Sequence, residues 1–182
     1  MGLFDLFLKW HRKEYSLAHR AAASVIGLVL FMFLIPWGLI ALAGALERSL
    51  GVARFVVQPL NMVFGALAVL AGLAFAGWTV AVQLTTGRGT PVPAVPPKRL
   101  IVSGPYRYCR NPMVMGYILY CFGLSIWLGS AVLFAFACGL WGIGAAYIKL
   151  IEEKELEARF GDAYREYRDS MPMFIPRLGK KR

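Results

Sequence analysis

Three stretches of this chain contain no charged residue: Ala21–Leu46 with 26 residues, Phe55–Gly87 with 33 and Asn111–Ile148 with 38. A helix needs about 20 apolar residues to cross a hydrocarbon core of roughly 30 Å, and lipid offers no partner to an unpaired backbone group. All three runs reach that length. The chain is also 58% hydrophobic and only 16% charged, against about a quarter charged in soluble domains. The expected fold class is all-α, a polytopic membrane protein.

The third run is too long for one crossing, since 38 residues at about 1.5 Å each would extend about 57 Å as a single helix. Gly129 and Ser130, inside "WLGSAV", supply a bend near its middle. The reading is a tight hairpin, with one helix from about Met113 to Leu128 and another from about Ala131 to Ile151. Four transmembrane helices result. Pro36 is expected to kink the first, which membrane helices tolerate. The second, Met62–Leu84, contains Gly65, Gly72 and Gly77, small residues that permit close helix approach without a clean small-xxx-small pattern. Three parts follow: an interfacial segment at 1–20, the first two crossings at 21–84, and a loop, hairpin and C-terminal helices at 85–182.

Net charge is +10, and its placement speaks for topology rather than for nucleic acid. Lys9, Arg12, Lys13 and Arg20 precede the first crossing, and Arg88, Lys98, Arg99, Arg107 and Arg110 lie between the second and third. Nine more basic residues follow from Lys149 onward, whereas the first short loop has Arg48 and Arg54 and the hairpin turn has none. Cytoplasmic segments carry the basic excess, so both termini and the long loop are expected on the cytoplasmic side, and the excess also attracts anionic lipid. Four crossings alternate correctly with that assignment. The apolar stretch from Ala21 is too long for a cleavable signal core. Cys109, Cys121 and Cys138 do not suggest a disulfide set, and no metal-ligand cluster is expected.

"MGLFDLFLKWHRKEY" spaces Leu3, Phe7 and Trp10 as one apolar stripe and reads as a short interfacial helix or a frayed tail. Four prolines between Pro91 and Pro97 impose a stiff, extended path. Some 28 residues exceed what joining two spans requires. After the hairpin, "YIKLIEEKELEARF" keeps helical spacing until Gly161, and Asp162 can cap a second short helix, "DAYREYRDS". "MPMFIPR" then closes the fold.

Two polar clusters are thereby expected together. One is Gly104–Asn111 with Pro112 starting the third helix; the other is Glu152–Glu153 at the end of the fourth, beside it because the two helices form a hairpin. A helix start offers free N–H donors to an anionic group, and the glutamates offer the opposite charge. A zwitterionic ligand would find both ends matched. Simpler alternatives are a surface pair between Lys149 and Glu153, at i, i+4, and snorkelling of Arg107 and Arg110 to lipid phosphates.

"GTPVPAVPPKRLIVSGPYRYCRNPMVMG", followed after a hairpin by "EEKELEARFGDAYREYRDSMPMFIPR", resembles the isoprenylcysteine carboxyl methyltransferase and phospholipid methyltransferase superfamily. Gly104, Pro105, Tyr106, Arg110, Pro112 and Gly116 match its loop motif; Glu152, Glu153, Leu156, Phe160, Gly161, Tyr164 and Tyr167 match its tail motif. Asn111 stands where the family often has His, and Val114 where it often has Tyr. The resemblance implies an integral membrane methyltransferase using S-adenosylmethionine in a cytoplasmic pocket. With the physical reading beside it, cofactor contacts are expected from Pro105, Tyr106, Arg107, Tyr108, Arg110, Asn111, Pro112, Met113, Gly116, Glu152 and Glu153. Catalytic roles are expected for Arg110 and Glu153, and substrate contacts from Tyr164, Tyr167 and Arg168. The acceptor would partition into the bilayer: a prenylcysteine carboxylate, a phospholipid amine or a hydrophobic thiol. Two other readings stand beside it, a sterol-reductase-like enzyme using NADPH and a non-enzymatic membrane scaffold or transport accessory.

Overall fold

The computed structural model describes residues 16–55, 57–87 and 97–175. The interfacial helix expected in the first 15 residues, the prolines from Pro91 to Pro96 and the chain from Pro176 lie outside the described residues. Among the described residues every regular element is helical. Helix α1 (Leu17–Val29) passes through a π-helical turn (Leu30–Leu34) into α2 (Ile35–Leu50), and α3 (Leu60–Thr85) follows. A short 3-10 turn (Gly104–Arg107) leads to α4 (Pro112–Leu128) and α5 (Ala131–Tyr147). A second π-helical turn (Ile148–Glu152) then connects to α6 (Glu153–Phe160) and α7 (Asp162–Ser170). Among the described residues three helical stretches are long and apolar enough to cross a membrane: Ala21–Leu50, Leu60–Thr85 and Ala131–Phe160. Helix α4 is equally apolar but has 17 residues, about 25 Å of helix.

The first helix continues past the expected end at Leu46 and takes in Glu47 and Arg48. Glu47 is almost completely buried, and its charge is compensated there. The Ser130 hydroxyl donates to one carboxylate oxygen and Arg54 Nε donates to the other at 2.9 Å. Just ahead of Pro36 the helix widens into the π-helical turn Leu30–Leu34. Proline has no N–H and its ring crowds the carbonyl four residues back, here Met32. That carbonyl accepts instead from the Tyr120 hydroxyl of α4 at 2.9 Å, so the freed backbone group is satisfied by a neighbouring helix.

Helices α3 and α4 share the most extensive interface of the molecule and run antiparallel with their backbones nearly touching. A side chain on Gly65 would begin 2.5 Å from the Trp127 nitrogen, and one on Gly72 would begin 2.6 Å from that of Tyr120. From the other side, a side chain on Gly116 would begin 2.8 Å from the Ala76 nitrogen and one on Gly123 would begin 2.6 Å from that of Val69. Each helix thus presents two glycines seven residues apart, a spacing the small-xxx-small pattern does not capture. A side chain on Gly77, expected to serve the same purpose, would meet no neighbouring element within 4 Å. Asn61 Nδ2 adds a bond to the Trp127 carbonyl at 3.2 Å.

The chain turns between α4 and α5 at the expected place. Gly129 adopts φ +62°, open to glycine at no steric cost, and Ser130 caps α5 by accepting from the Leu133 N–H at 3.0 Å. The Phe55 N–H donates to the Gly129 carbonyl at 2.9 Å. That turn carries the chain back, so the start of α4 and the end of α5 lie side by side.

Replacing Gly123 by Leu is expected to push α3 and α4 apart and to cost about 1–3 kcal/mol or more, whereas Gly77→Leu leaves stability unchanged. Thermal unfolding of the two variants in detergent micelles checks this. Equal stability of the two would mean that the glycine contact is not what holds the pair together.

Candidate active site

The turn Gly104–Arg107 begins with Gly104 at φ +60° and buries Pro105. It is clamped from two sides. Gln83 Nε2 of α3 donates to the Tyr106 hydroxyl at 2.7 Å, and the Tyr167 hydroxyl of α7 donates to the Tyr106 carbonyl at 2.7 Å. Burial pushes the Tyr106 and Tyr167 phenols well above their usual range and that of Tyr164 up to about 12. All three remain neutral donors near neutral pH. Cys109 has no exposed surface, and burial pushes its thiol up to about 11.

Arg110 and Asn111 come next, and their backbone N–H groups donate to the carbonyls of Pro172 at 2.9 Å and Met173 at 3.2 Å. Asn111 Nδ2 also reaches the Met173 carbonyl, at 3.3 Å. The C-terminal segment is thereby strapped to the start of α4, where Phe174 meets Trp141 edge-on. Arg110 Nη1 pairs with Glu153 Oε1 at 2.7 Å, with only 13% and 14% of the two side chains exposed. Glu153 therefore pairs with Arg110 across the hairpin rather than with Lys149 on its own helix.

The π-helical turn Ile148–Glu152 widens the helix where it leaves α5, and such turns recur at functional sites. Glu152 stands in the wall of a cavity and Glu153 stands on Arg110. One turn further, Glu155 pairs with Arg159 at 2.6 Å, and Arg159 also donates to the Pro97 carbonyl. No cation stands within salt-bridge distance of Glu152 among the described residues.

The cavity has a volume of about 630 Å³, within the range of about 300–1,000 Å³ usual for small-molecule sites. Its polar end is lined by Gln83, Arg110, Asn111, Glu152, Glu155 and Arg159, with Tyr106, Tyr164 and Tyr167 among them. Its other end is apolar, formed by Val25, Leu28, Phe31 and Met32 of the first helix with Leu73 and Val80 of α3. Buried polar atoms without a partner in the protein gather here. They include Gln83 Oε1, Arg110 Nε and Arg159 Nε. Such atoms are costly unless something satisfies them.

Of the residues expected to form the site, Tyr106, Arg110, Asn111, Met113, Glu152, Tyr164 and Tyr167 line this cavity. Glu153 adjoins it through Arg110. Pro105 and Pro112 are buried in the framework, and Gly116 is spent on the approach to Ala76. Arg107 is exposed, Tyr108 lies edge-on to Trp78, and Arg168 pairs with Glu157 at 2.9 Å; none of these three lines the cavity. Gln83, Glu155 and Arg159 were not anticipated. Gln83 was the visible clue as an amide within an apolar run, and Glu155 and Arg159 as an i, i+4 acid–base pair.

The sequence pattern of the phospholipid methyltransferase family matches residues 60–163, more than half of the chain and nearly all of this polar end. The chain belongs to that family. Among relatives, the methanethiol S-methyltransferase 2 of Bradyrhizobium diazoefficiens is 24% identical over 97% of this chain and 67% of its own length. The protein-S-isoprenylcysteine O-methyltransferase of Schizosaccharomyces pombe is 35% identical over 42% of this chain and 33% of its own. The methanethiol S-methyltransferase of Crocosphaera subtropica is 34% identical over 42% of this chain and 29% of its own length. No solved structure matches. This family member is therefore an integral membrane methyltransferase, and the reductase and scaffold readings fall away. The family pattern begins at α3, so the α1 wall of the apolar arm lies outside it.

Glu153→Gln leaves the Arg110 guanidinium without its counter-charge. Breaking a buried pair from one side costs about 3–5 kcal/mol, and the lower end is expected at the slight exposure seen here. Adding Arg110→Met should recover part of the loss, measured as a double-mutant cycle on the unfolding midpoint. Cys109 in the folded protein should resist iodoacetamide at pH 8 and react once the protein is denatured, as read by mass spectrometry.

Proposed function

We propose that this methyltransferase uses S-adenosylmethionine bound at the polar end of the cavity to methylate a lipophilic acceptor held in the apolar arm. The observation that carries the reading is the continuity of the two ends in one cavity. A wall with free guanidinium N–H groups and an unpaired carboxylate passes directly into a wall of aliphatic and aromatic side chains. The residues fit the cofactor's chemistry. The Nε–H groups of Arg110 and Arg159 suit its carboxylate, the Glu152 carboxylate suits its ammonium, and the Tyr106 and Tyr164 rings suit a cationic, partly aromatic ligand. When bound, S-adenosylmethionine supplies an electrophilic methyl group on a sulfonium.

The protein's own contribution is alignment and exclusion of water. Arg110 is held by Glu153 and by the strap to Pro172 and Met173. Arg159 is held by Glu155 and Pro97. Tyr106 and Tyr167 lock the loop to α3 and α7 as neutral phenols. In this reading α4 completes a set of four crossings, and both termini and the polar end face the cytoplasm, as the distribution of basic residues supports. The acceptor enters from the bilayer along α1.

Of the possible acceptors, a hydrophobic thiol is favoured by the similarity to a methanethiol S-methyltransferase over nearly the whole chain. A prenylcysteine carboxylate is the second reading, favoured by the 35% identity to a protein-S-isoprenylcysteine O-methyltransferase over 42% of the chain. Calorimetry on the detergent-purified chain tests the cofactor: S-adenosylhomocysteine is expected to bind in the micromolar range and NADPH not at all. Glu152→Gln should weaken binding at least about tenfold, the scale of one charge-assisted hydrogen bond. Absence of binding sinks the reading. Methyl transfer from labelled cofactor to a thiol should rise about tenfold per pH unit below the acceptor's own ionisation near pH 8.5–10, because only the thiolate attacks. A carboxylate acceptor, already ionised, should show no such rise between pH 6 and 9.

A further inference from the structure

We propose that the end of the bundle away from the methyl-transfer cavity holds a second site, built by Arg48 and Arg54, that binds the phosphate group of a lipid headgroup. Helix α4 separates the two places. It starts beside Arg110 and ends at Gly129, and its 17 residues span about 25 Å. At that far end Glu47, Arg48 and Arg54 line a second cavity of about 430 Å³ together with Gly44, Gly51, Val52 and Ala53.

The arrangement is preorganised. Glu47 Oε2 accepts from Arg54 Nε at 2.9 Å, and Glu47 Oε1 accepts from the buried Ser130 hydroxyl. Both carboxylate oxygens are therefore engaged. The segment carrying Arg54 is fixed in turn by the bond from the Phe55 N–H to the Gly129 carbonyl at 2.9 Å. Arg54 thus spends its Nε on Glu47 and keeps its terminal nitrogens for something else.

Arg48 has no acidic side chain within salt-bridge distance among the described residues. Its Nη1 nevertheless lies 3.5 Å from the point where a side chain on Gly44 would begin, and Arg54 Nη2 lies 3.7 Å from the same point. Two guanidiniums converge over one bare glycine, and the Glu47 carboxylate that lines the same cavity is already engaged. Like charges brought this close are stabilised by an anion with several oxygens, and the fork of a guanidinium matches a phosphate.

The surroundings favour a lipid as the source of that phosphate. The cluster sits where the Ala21–Leu50 span ends, and Leu50, Val52, Phe55 and Val57 beside it expose apolar side chains. A phosphate held by the arginines would leave acyl chains against those residues.

Scanning fluorimetry on the full chain in neutral detergent tests the site with two probes, phosphatidylglycerol in mixed micelles and inorganic phosphate. Phosphatidylglycerol should raise the unfolding midpoint by about 3 °C. Arg48→Gln, which leaves the Glu47–Arg54 pair intact, should abolish the rise, and the exposed Lys154→Gln at the other end should keep it. Arg54→Gln should also lose the rise; if that variant fails to fold, Arg48→Gln still decides. An Arg48-dependent rise with inorganic phosphate alone would assign the site to free phosphate. No rise with either probe, or a rise that survives Arg48→Gln, overturns the proposal.

Discussion

The close antiparallel contact of α3 and α4 is what the rest of the molecule depends on. Burying apolar surface against another helix gains little in lipid, where the surroundings are equally apolar, so association must come from close packing and from polar groups satisfied across the interface. Gly65 and Gly72 on one helix and Gly116 and Gly123 on the other let the backbones meet. That contact fixes Gln83 at the end of α3 beside Tyr106. It also sets the start of α4, and hence Arg110, at a defined height. The hairpin then returns α5 to the same level, where the π-helical turn delivers Glu152 and Glu153.

Among the described residues, most buried charges are neutralised locally. Glu47 meets Arg54 and Ser130, Arg110 meets Glu153, and Arg159 meets Glu155. Backbone groups follow the same economy, as the Met32 carbonyl released by Pro36 shows when it accepts from Tyr120. Against that background the partnerless atoms Arg110 Nε, Arg159 Nε and Gln83 Oε1 stand out, since all lie on one cavity. A polar ligand there would complete a pattern that the protein satisfies internally elsewhere.

Much of this was legible in the residues. Uncharged runs marked the long helices, Gly129 and Ser130 marked the bend, and Gly161 marked the break between α6 and α7. The junction of Arg110 with Glu153, 43 residues apart, followed from the hairpin alone. Other features were not legible. Glu47 and Arg48 read as loop, because the partner that shelters Glu47, Ser130, lies 83 residues away. Gly77 looked equivalent to Gly72, since composition does not reveal which side of a uniformly apolar helix meets a neighbour. Asn111 read as a stand-in for a cofactor-binding histidine, whereas its amide reaches the Met173 carbonyl while the residue still lines the cavity.

By itself the amino-acid order determined that the chain is helical, that it is long and apolar enough to enter a membrane, and that a methyltransferase signature surrounds the hairpin. Those properties are local, set by hydrophobic run length, turn residues and motif spacing, and they hold whatever the helices do next. Only the tertiary structure decided which motif residues share a cavity and which are framework, that α1 supplies the apolar wall, and that two arginines converge at the far end of the bundle. In a helix apolar all round, periodicity carries no record of facing, so the register between helices is set by where backbones can touch and where polar atoms find partners.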